Sequence, residues 1–188
     1  MTYVALLRGI NVGGNNPVNM KLLKGTFERA GFTDVVTYIN SGNIVFADRR
    51  EQAADRADLP LVLEQAIAAD FGFHVPVIVR SLDEMAAVVE ALPNDWTNDD
   101  RAKSDVLFLW DEINDRSVLE RLPVKAEVTT CLYVPGVVLC SVSREHAARS
   151  GLNKLVGSRD YKFMTIRNVN TVRRIYAMML AASHPPGA

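Results

Sequence analysis

The chain has 188 residues, 48% of them hydrophobic and 23% charged, with 21 basic against 22 acidic side chains and a formal net charge of −1. That is enough apolar material for one sizeable core or two small ones. It excludes the overall basic excess that a protein living on nucleic-acid backbone carries, so any basic site must be local.

Residues 2–8, "TYVALLR", are rich in β-formers and aliphatics and predict a strand. No basic leader precedes it, and its apolar run is too short for a signal peptide or a membrane span. The loop "GINVGGNNPV" follows. Residues 19–30, "NMKLLKGTFERA", place Leu23, Phe27 and Ala30 at helical spacing, with Asn19 as N-cap, Val18 and Leu23 as a hydrophobic staple, and Gly31 as the stop. "DVVTYIN" (34–40) and "NIVFA" (43–47) read as a hairpin joined through Ser41-Gly42. "LPLVLEQAIAADFG" (59–72) reads as a helix with Pro60 in its first turn, and "HVPVIVR" (74–80) as a strand that Pro76 confines to a sheet edge. This order, β-α-β-β-α-β, is that of ferredoxin-like domains.

A helix over 81–92 follows, and then the polar, turn-rich stretch 93–103, read as a linker. The theme restarts with a strand at 104–110, a short helix at 117–122, a hairpin of "EVTTCLY" and "VVLCSV" through Pro135-Gly136, and a helix at 168–181. The expected fold is α+β, two ferredoxin-like β-α-β-β-α halves related by duplication, at 1–92 and 104–182, with residues 183–188 as a disordered tail. Val4 to Leu7, Ile44 to Phe46 and Val106 to Leu109 are apolar at consecutive positions, so both faces of their sheets are expected to be covered.

In this order the first and second strands run parallel and end on the same rim. The first ends at Arg8 and opens into the Gly/Asn loop; the second ends at Asn40 and turns through Ser41, Gly42 and Asn43. The helix start at Asn19 points to the same place and carries Lys21 and Lys24. Backbone N–H groups and the positive helix end make such a rim an expected anion seat. Gly and Asn are also what tight turns require, because both tolerate positive φ. The loop is neither G-x-G-x-x-G nor a P-loop, since Asn15 and Asn16 stand where Lys and Ser/Thr would be, so dinucleotide and Walker-type binding are not expected.

"YVALLRGINVGGNNPV", "TYINSGNIVF" and "TIRNVNTV" together resemble an uncharacterised bacterial family, the domain of unknown function DUF1697. The resemblance spans nearly the whole chain and implies an α+β fold of two similar halves. It carries no activity. The matching residues are Arg8, Asn11, Gly13, Gly14, Tyr38, Ser41, Gly42, Asn43, Arg167, Asn168, Asn170 and Thr171; Val169 departs from a position where the family tends to carry an aromatic.

Other chemistry is sparse. The segment 154–167 is locally basic through Lys154, Arg159, Lys162 and Arg167, and Asn168 reads as the N-cap of the last helix, a second anion seat or simply a capped loop. Under a pseudo-two-fold, Arg8 and Arg167 would face one cleft. Cys131 and Cys140 fall opposite each other across Pro135-Gly136 and are expected as buried free thiols in a reduced, cytoplasmic protein, a redox pair being the lesser reading. His74, His146 and His184 are scattered and no metal-binding spacing occurs, so neither a metal nor a cofactor is expected. No G-x-S-x-G elbow is present and no catalytic group is assigned. Glu64 and Asp70 read as a solvated helix face.

Three functions follow. The first is binding of a small phosphorylated or carboxylated ligand by Arg8, Asn11, Gly13, Gly14, Lys21, Ser41, Asn43, Arg167, Asn168 and Asn170. The second is an interaction or structural protein whose signature loops lock the two halves. The third, RNA binding, is disfavoured by the near-neutral charge and the missing RNP1-like pattern. No membrane partner is expected, and the sequence implies no particular oligomeric state.

Overall fold

Strand Thr2–Leu7 (β1) buries every residue from Tyr3 onward, which only a central strand can do. In the computed structural model, which describes residues 1–14, 16–49 and 58–184, β1 pairs antiparallel with Asn43–Ala47 (β3) on one side and Val77–Ser81 (β4) on the other. Thr33–Tyr38 (β2) closes the sheet against β3, giving the order β2-β3-β1-β4. β1 and β2 therefore run in the same direction, as the ferredoxin-like order requires. β4 is an edge strand; it begins one residue after Pro76, whose carbonyl still accepts the Arg8 N–H at 3.0 Å.

The helices of this sheet sit on the face carrying Tyr3, Ala5, Leu7, Ile44 and Phe46. Helix Met20–Arg29 (α1) starts where expected: the Asn19 side chain accepts from the N–H groups of Lys21 and Leu22, and Val18 and Leu23 enter one core cluster. Phe27 and Phe32 meet Phe46 edge-on, with ring centroids 5.4 and 4.8 Å away. Helix Leu59–Phe71 (α2) has Pro60 in its first turn and ends at Gly72 in the left-handed conformation. Asp70 of α2 accepts from Thr26 and Arg29 of α1, each at 2.5 Å, so it pins two helices together. Glu64 accepts the Val77 N–H at 2.9 Å at the head of the edge strand. Both carboxylates thus hold specific partners, where the sequence reading gave them only a solvated face.

Helix Leu82–Ala91 (α3) follows β4 directly through a capping box, with the Ser81 N–H donating to Glu84 and the Glu84 N–H to Ser81 Oγ. The chain divides into two compact units, Met1–Met85 with Ile175–Ala188 and Ala86–Arg174.

In the second unit, Ala102–Leu109 (β5), Thr129–Val134 (β6), Val137–Ser143 (β7) and Met164–Asn168 (β8) form a sheet in the order β6-β7-β5-β8, all neighbours antiparallel. The order matches that of the first sheet. A short helix Val118–Arg121 (α4) stands between β5 and β6. Between β7 and β8, where the first unit has α2, lie three 3₁₀ turns over Ala147–Arg149, Leu152–Gly157 and Arg159–Phe163.

Four sequence readings are corrected. The last helix, Val169–Ser183 (α5), does not follow the β6–β7 hairpin: β8 intervenes, a five-residue edge strand whose Arg and Asn conceal its pairing with β5, about sixty residues earlier. The β2–β3 connection is a four-residue loop, 39–42, because Tyr38 pairs with Asn43. Cys131 and Cys140 are joined in a disulfide; the Pro135-Gly136 turn sets them in register with Cα atoms 4.3 Å apart, inside bridging reach. The Ser183 hydroxyl, placed in the tail by the sequence reading, ends α5 and donates to Thr2 Oγ1 at 2.9 Å, while residues 185–188 of that tail lie outside the described residues.

Candidate functional site

The loop after β1 and the 39–42 turn meet at one rim of the first sheet, and a single side chain joins them. Asn11, at φ +53°, donates from Nδ2 to the carbonyls of Asn40 (2.9 Å) and Val18 (3.1 Å), and its Oδ1 accepts the Val18 N–H at 2.8 Å. Its amide is thus spent on the protein itself. The Asn11 N–H donates to the Asn16 carbonyl at 3.2 Å, and Asn16 Nδ2 reaches back to the Gly9 carbonyl at 3.1 Å. Beneath them, the Leu7 N–H donates to the Gly42 carbonyl at 2.8 Å. Gly42, at φ +77°, has no room for a side chain: an added Cβ would lie 2.7 Å from Leu7 Cβ and 2.9 Å from Ile10 Cδ1.

Asn43 is fully buried and acts inside its turn, donating to the Tyr38 carbonyl and to Ser41 Oγ, each at 3.0 Å. Gly13 and Gly14 differ from Gly42. Both hold positive φ and both are exposed, and among the described residues beyond their chain neighbours nothing lies within 4 Å of where a Cβ would stand, so the space beside their backbone is open.

Between the two loops and the start of α1 runs a groove of about 570 Å³ lined by Asn11, Gly14, Pro17, Val18, Asn19, Met20, Lys21 and Asn40. Of the residues expected from sequence, Asn11, Gly14 and Lys21 line it. Gly13 adjoins it in the chain, and Ser41 and Asn43 belong to the turn behind it. Pro17, Val18, Asn19, Met20 and Asn40 were not expected in it, Val18 and Asn19 having been read only as helix-start residues; Asn40 was legible only as the end of a strand, because its carbonyl rather than its side chain makes the link. Lys21 is exposed and makes no ion pair among the described residues, whereas Lys24 pairs with Glu28 at 3.7 Å. The N–H groups expected to be free at this helix start are not all available: Asn19 Oδ1 occupies those of Lys21 and Leu22, at 2.9 and 3.1 Å.

Arg8 is half-buried at the end of β1. Arg167, Asn168 and Asn170 belong to the second unit. Arg167 is buried on β8; its Nη1 donates to Thr165 Oγ1 at 2.9 Å and to the Ile166 carbonyl at 2.8 Å, and burial pushes its guanidinium down to about 10. Asn168 caps α5 by accepting the Thr171 N–H at 2.9 Å, and Asn170 donates to the Asn98 carbonyl at 2.9 Å. The counterpart of Arg167 in the first unit is Arg80 rather than Arg8. Arg167 stands opposite Val106 and Arg80 opposite Val4; each donates to the carbonyl of the preceding residue and each precedes the cap of the helix that follows. Among the described residues no group of three His, Cys, Asp or Glu side chains is placed to hold a metal ion, and no helix is long and apolar enough to cross a membrane.

A search of curated proteins found no match. Among solved structures, the chain is similar to a conserved bacterial protein, SP0830 from Streptococcus pneumoniae. The two share 31% sequence identity and a TM-score of 0.79, with 95% of this chain and 98% of that chain covered. The model of the protein family of unknown function DUF1697 matches residues 1–139, which takes in both loops of the rim. This chain, with its asparagine-locked rim, is a member of the DUF1697 family.

Proposed function

We propose that this is a cytoplasmic protein that holds a small phosphorylated or carboxylated ligand in the groove between the Gly/Asn loop and the start of α1. The observation that carries this is the groove itself: about 570 Å³, polar, with Lys21 at its wall and open space beside Gly13 and Gly14. A loop tied down by side-chain hydrogen bonds that leaves backbone uncovered is better organised for an anion than a free one, because less ordering entropy remains to be lost on binding. Asn11 supports the reading by fixing the loops rather than by touching the ligand, and Arg8 adds a second cation near the rim. The test is a thermal-shift screen against nucleotides, sugar phosphates and carboxylates, repeated with Lys21→Ala and Arg8→Ala. A hit that stabilises the wild type and loses most of its effect in Lys21→Ala supports the site; equal responses from all three proteins would remove it.

A second reading is favoured by one observation, that the amides of Asn11 and Asn43 are satisfied internally. Under it, the signature residues secure the fold and the protein serves as an interaction or structural component. Substitution of Asn11 would then cost stability with no binding to lose.

A further inference from the structure

We propose that Cys131 and Cys140 form a thiol–disulfide exchange centre for a low-molecular-weight thiol, with Asp105 handling the proton of the buried sulfur. The centre is a row across one face of the second sheet. Cys131 lies on β6, Cys140 opposite it on β7, and Asp105 opposite Cys140 on β5. Side chains so paired stand about 5 Å apart at Cβ.

The three positions differ in access, and the difference fits the chemistry. β6 is an edge strand and Cys131, packed against the edge of the same cluster, is partly exposed, so of the two cysteines it is the more accessible to a solvent thiol. Cys140 is fully buried in a central strand, within the cluster formed by Leu107, Leu109 and Val138. A thiolate released there has little water to stabilise it and needs a proton from a neighbour. Asp105 is that neighbour. Its side chain is 15% exposed, and burial raises its carboxyl above the ordinary aspartate value against the opposing pull of Lys103, 3.8 Å away, and of Arg144.

A purely structural role is poorly served by this bond. It closes a loop of nine residues within a hairpin whose ladder and two-residue turn already hold the two positions together, and short loops draw the least stabilisation from a cross-link. In a reducing compartment a standing disulfide is characteristically a cycling one.

The step balances as follows. A solvent thiolate attacks Cys131 Sγ, the Cys131–Cys140 bond breaks, and Cys140 leaves with the electron pair and takes a proton from the Asp105 carboxyl. A second thiolate attacks the outer sulfur of the mixed disulfide, releasing a small-molecule disulfide and the Cys131 thiolate, which is protonated from solvent, as is Asp105. Two thiols are oxidised to one disulfide, and one protein disulfide is reduced to two thiols.

The experiment uses the full chain, incubated in glutathione buffers of graded redox poise, quenched with an alkylating agent and read by intact mass. The expected result is reversible conversion between disulfide and dithiol forms in the folded protein. With oxidised glutathione, Cys140→Ser should gain one adduct at Cys131 about tenfold faster than Cys131→Ser gains one at Cys140. Asp105→Asn should slow reduction and change its pH–rate profile, with circular dichroism confirming the fold. A bond that yields only when the protein is unfolded overturns the proposal, as do two thiols that never oxidise. An unchanged pH–rate profile in Asp105→Asn overturns the role given to that residue.

Discussion

The two sheets end in rims built to one plan and finished differently. In the first, the Leu7 N–H meets the Gly42 carbonyl and the Arg8 N–H that of Pro76; in the second, Leu109 meets Gly136 and Trp110 meets Phe163, all between 2.8 and 3.0 Å. An asparagine secures the hairpin turn in each. Asn11 donates to the Asn40 carbonyl, whereas Asn114 accepts the Gly136 N–H at 2.7 Å and the Tyr133 hydroxyl at 3.1 Å. The recurrence with reversed polarity identifies turn-locking as a demand of the architecture. What does not recur is the open glycine loop: the second unit leaves β5 through Trp110 and a tight 3₁₀ turn, Asp111–Ile113. Folding accounts for the asparagine. It accounts for Gly13 and Gly14 only through their positive φ and not for the open space beside their backbone, and that space is where a ligand reading has its footing.

The comparison breaks hardest at the glycines. Gly151→Ala, where a Cβ would fall 1.8 Å from the Pro123 carbonyl oxygen, should cost more than about 4 kcal/mol and fail to give a stable protein, as expression and thermal melts will report. Gly42→Ala, with the Leu7 and Ile10 clashes, should cost about 3 kcal/mol, against about 1 kcal/mol for Gly13→Ala, where only the positive φ is strained. Equal losses at 42 and 13 in urea titrations would show that the first loop is packed, not open. Asn11→Ala and Asn114→Ala should each lose about 2 kcal/mol, Asn11 the more because it also surrenders a left-handed conformation. If only one of them destabilises, the two locks are not equivalent.

Acid should sharpen the difference in how each unit is pinned. Hydrogen bonds from Thr26 and then Arg29 hold the Asp70 carboxyl below its ordinary value of 3.8. A depressed folded-state pKa gives stability that is present above the unfolded value and lost as pH falls through the folded one. Asp70→Asn should therefore weaken the protein near neutrality and leave a flatter stability curve below about pH 4. Asp105 has the opposite sign: its raised pKa favours the fold at low pH and loses that advantage as pH rises through the folded value, so Asp105→Asn should stabilise the protein at pH 7 but not in acid. The smallest effect on folding belongs to Lys21→Ala, within about 0.5 kcal/mol in a melt, while any anion-dependent shift should largely vanish.

Much of the first unit was legible because its signals are local. Asn19, Val18 and Leu23 start α1, Pro60 and Gly72 bracket α2, and continuous apolar runs mark the central strands. Strand β8 was not legible, since "MTIRN" is short, half polar, and becomes a strand only by pairing with β5. The groove was legible as a meeting of loops, through the parallel sense of β1 and β2. Its lining was not, because Asn40 contributes a carbonyl, which every residue has.

The amino-acid order alone determined the succession of helices and strands apart from β8, the two-fold repetition of the theme, and the placing of Gly and Asn where the chain reverses, because capping, periodicity and turn chemistry act over a few residues. Only the tertiary structure decided that Asn11 spends its amide on the protein itself, that Arg80 rather than Arg8 matches Arg167, and that Asp105 shares a row with the two cysteines. Those outcomes depend on register and burial, which arise when segments distant in the chain pair and exclude water together.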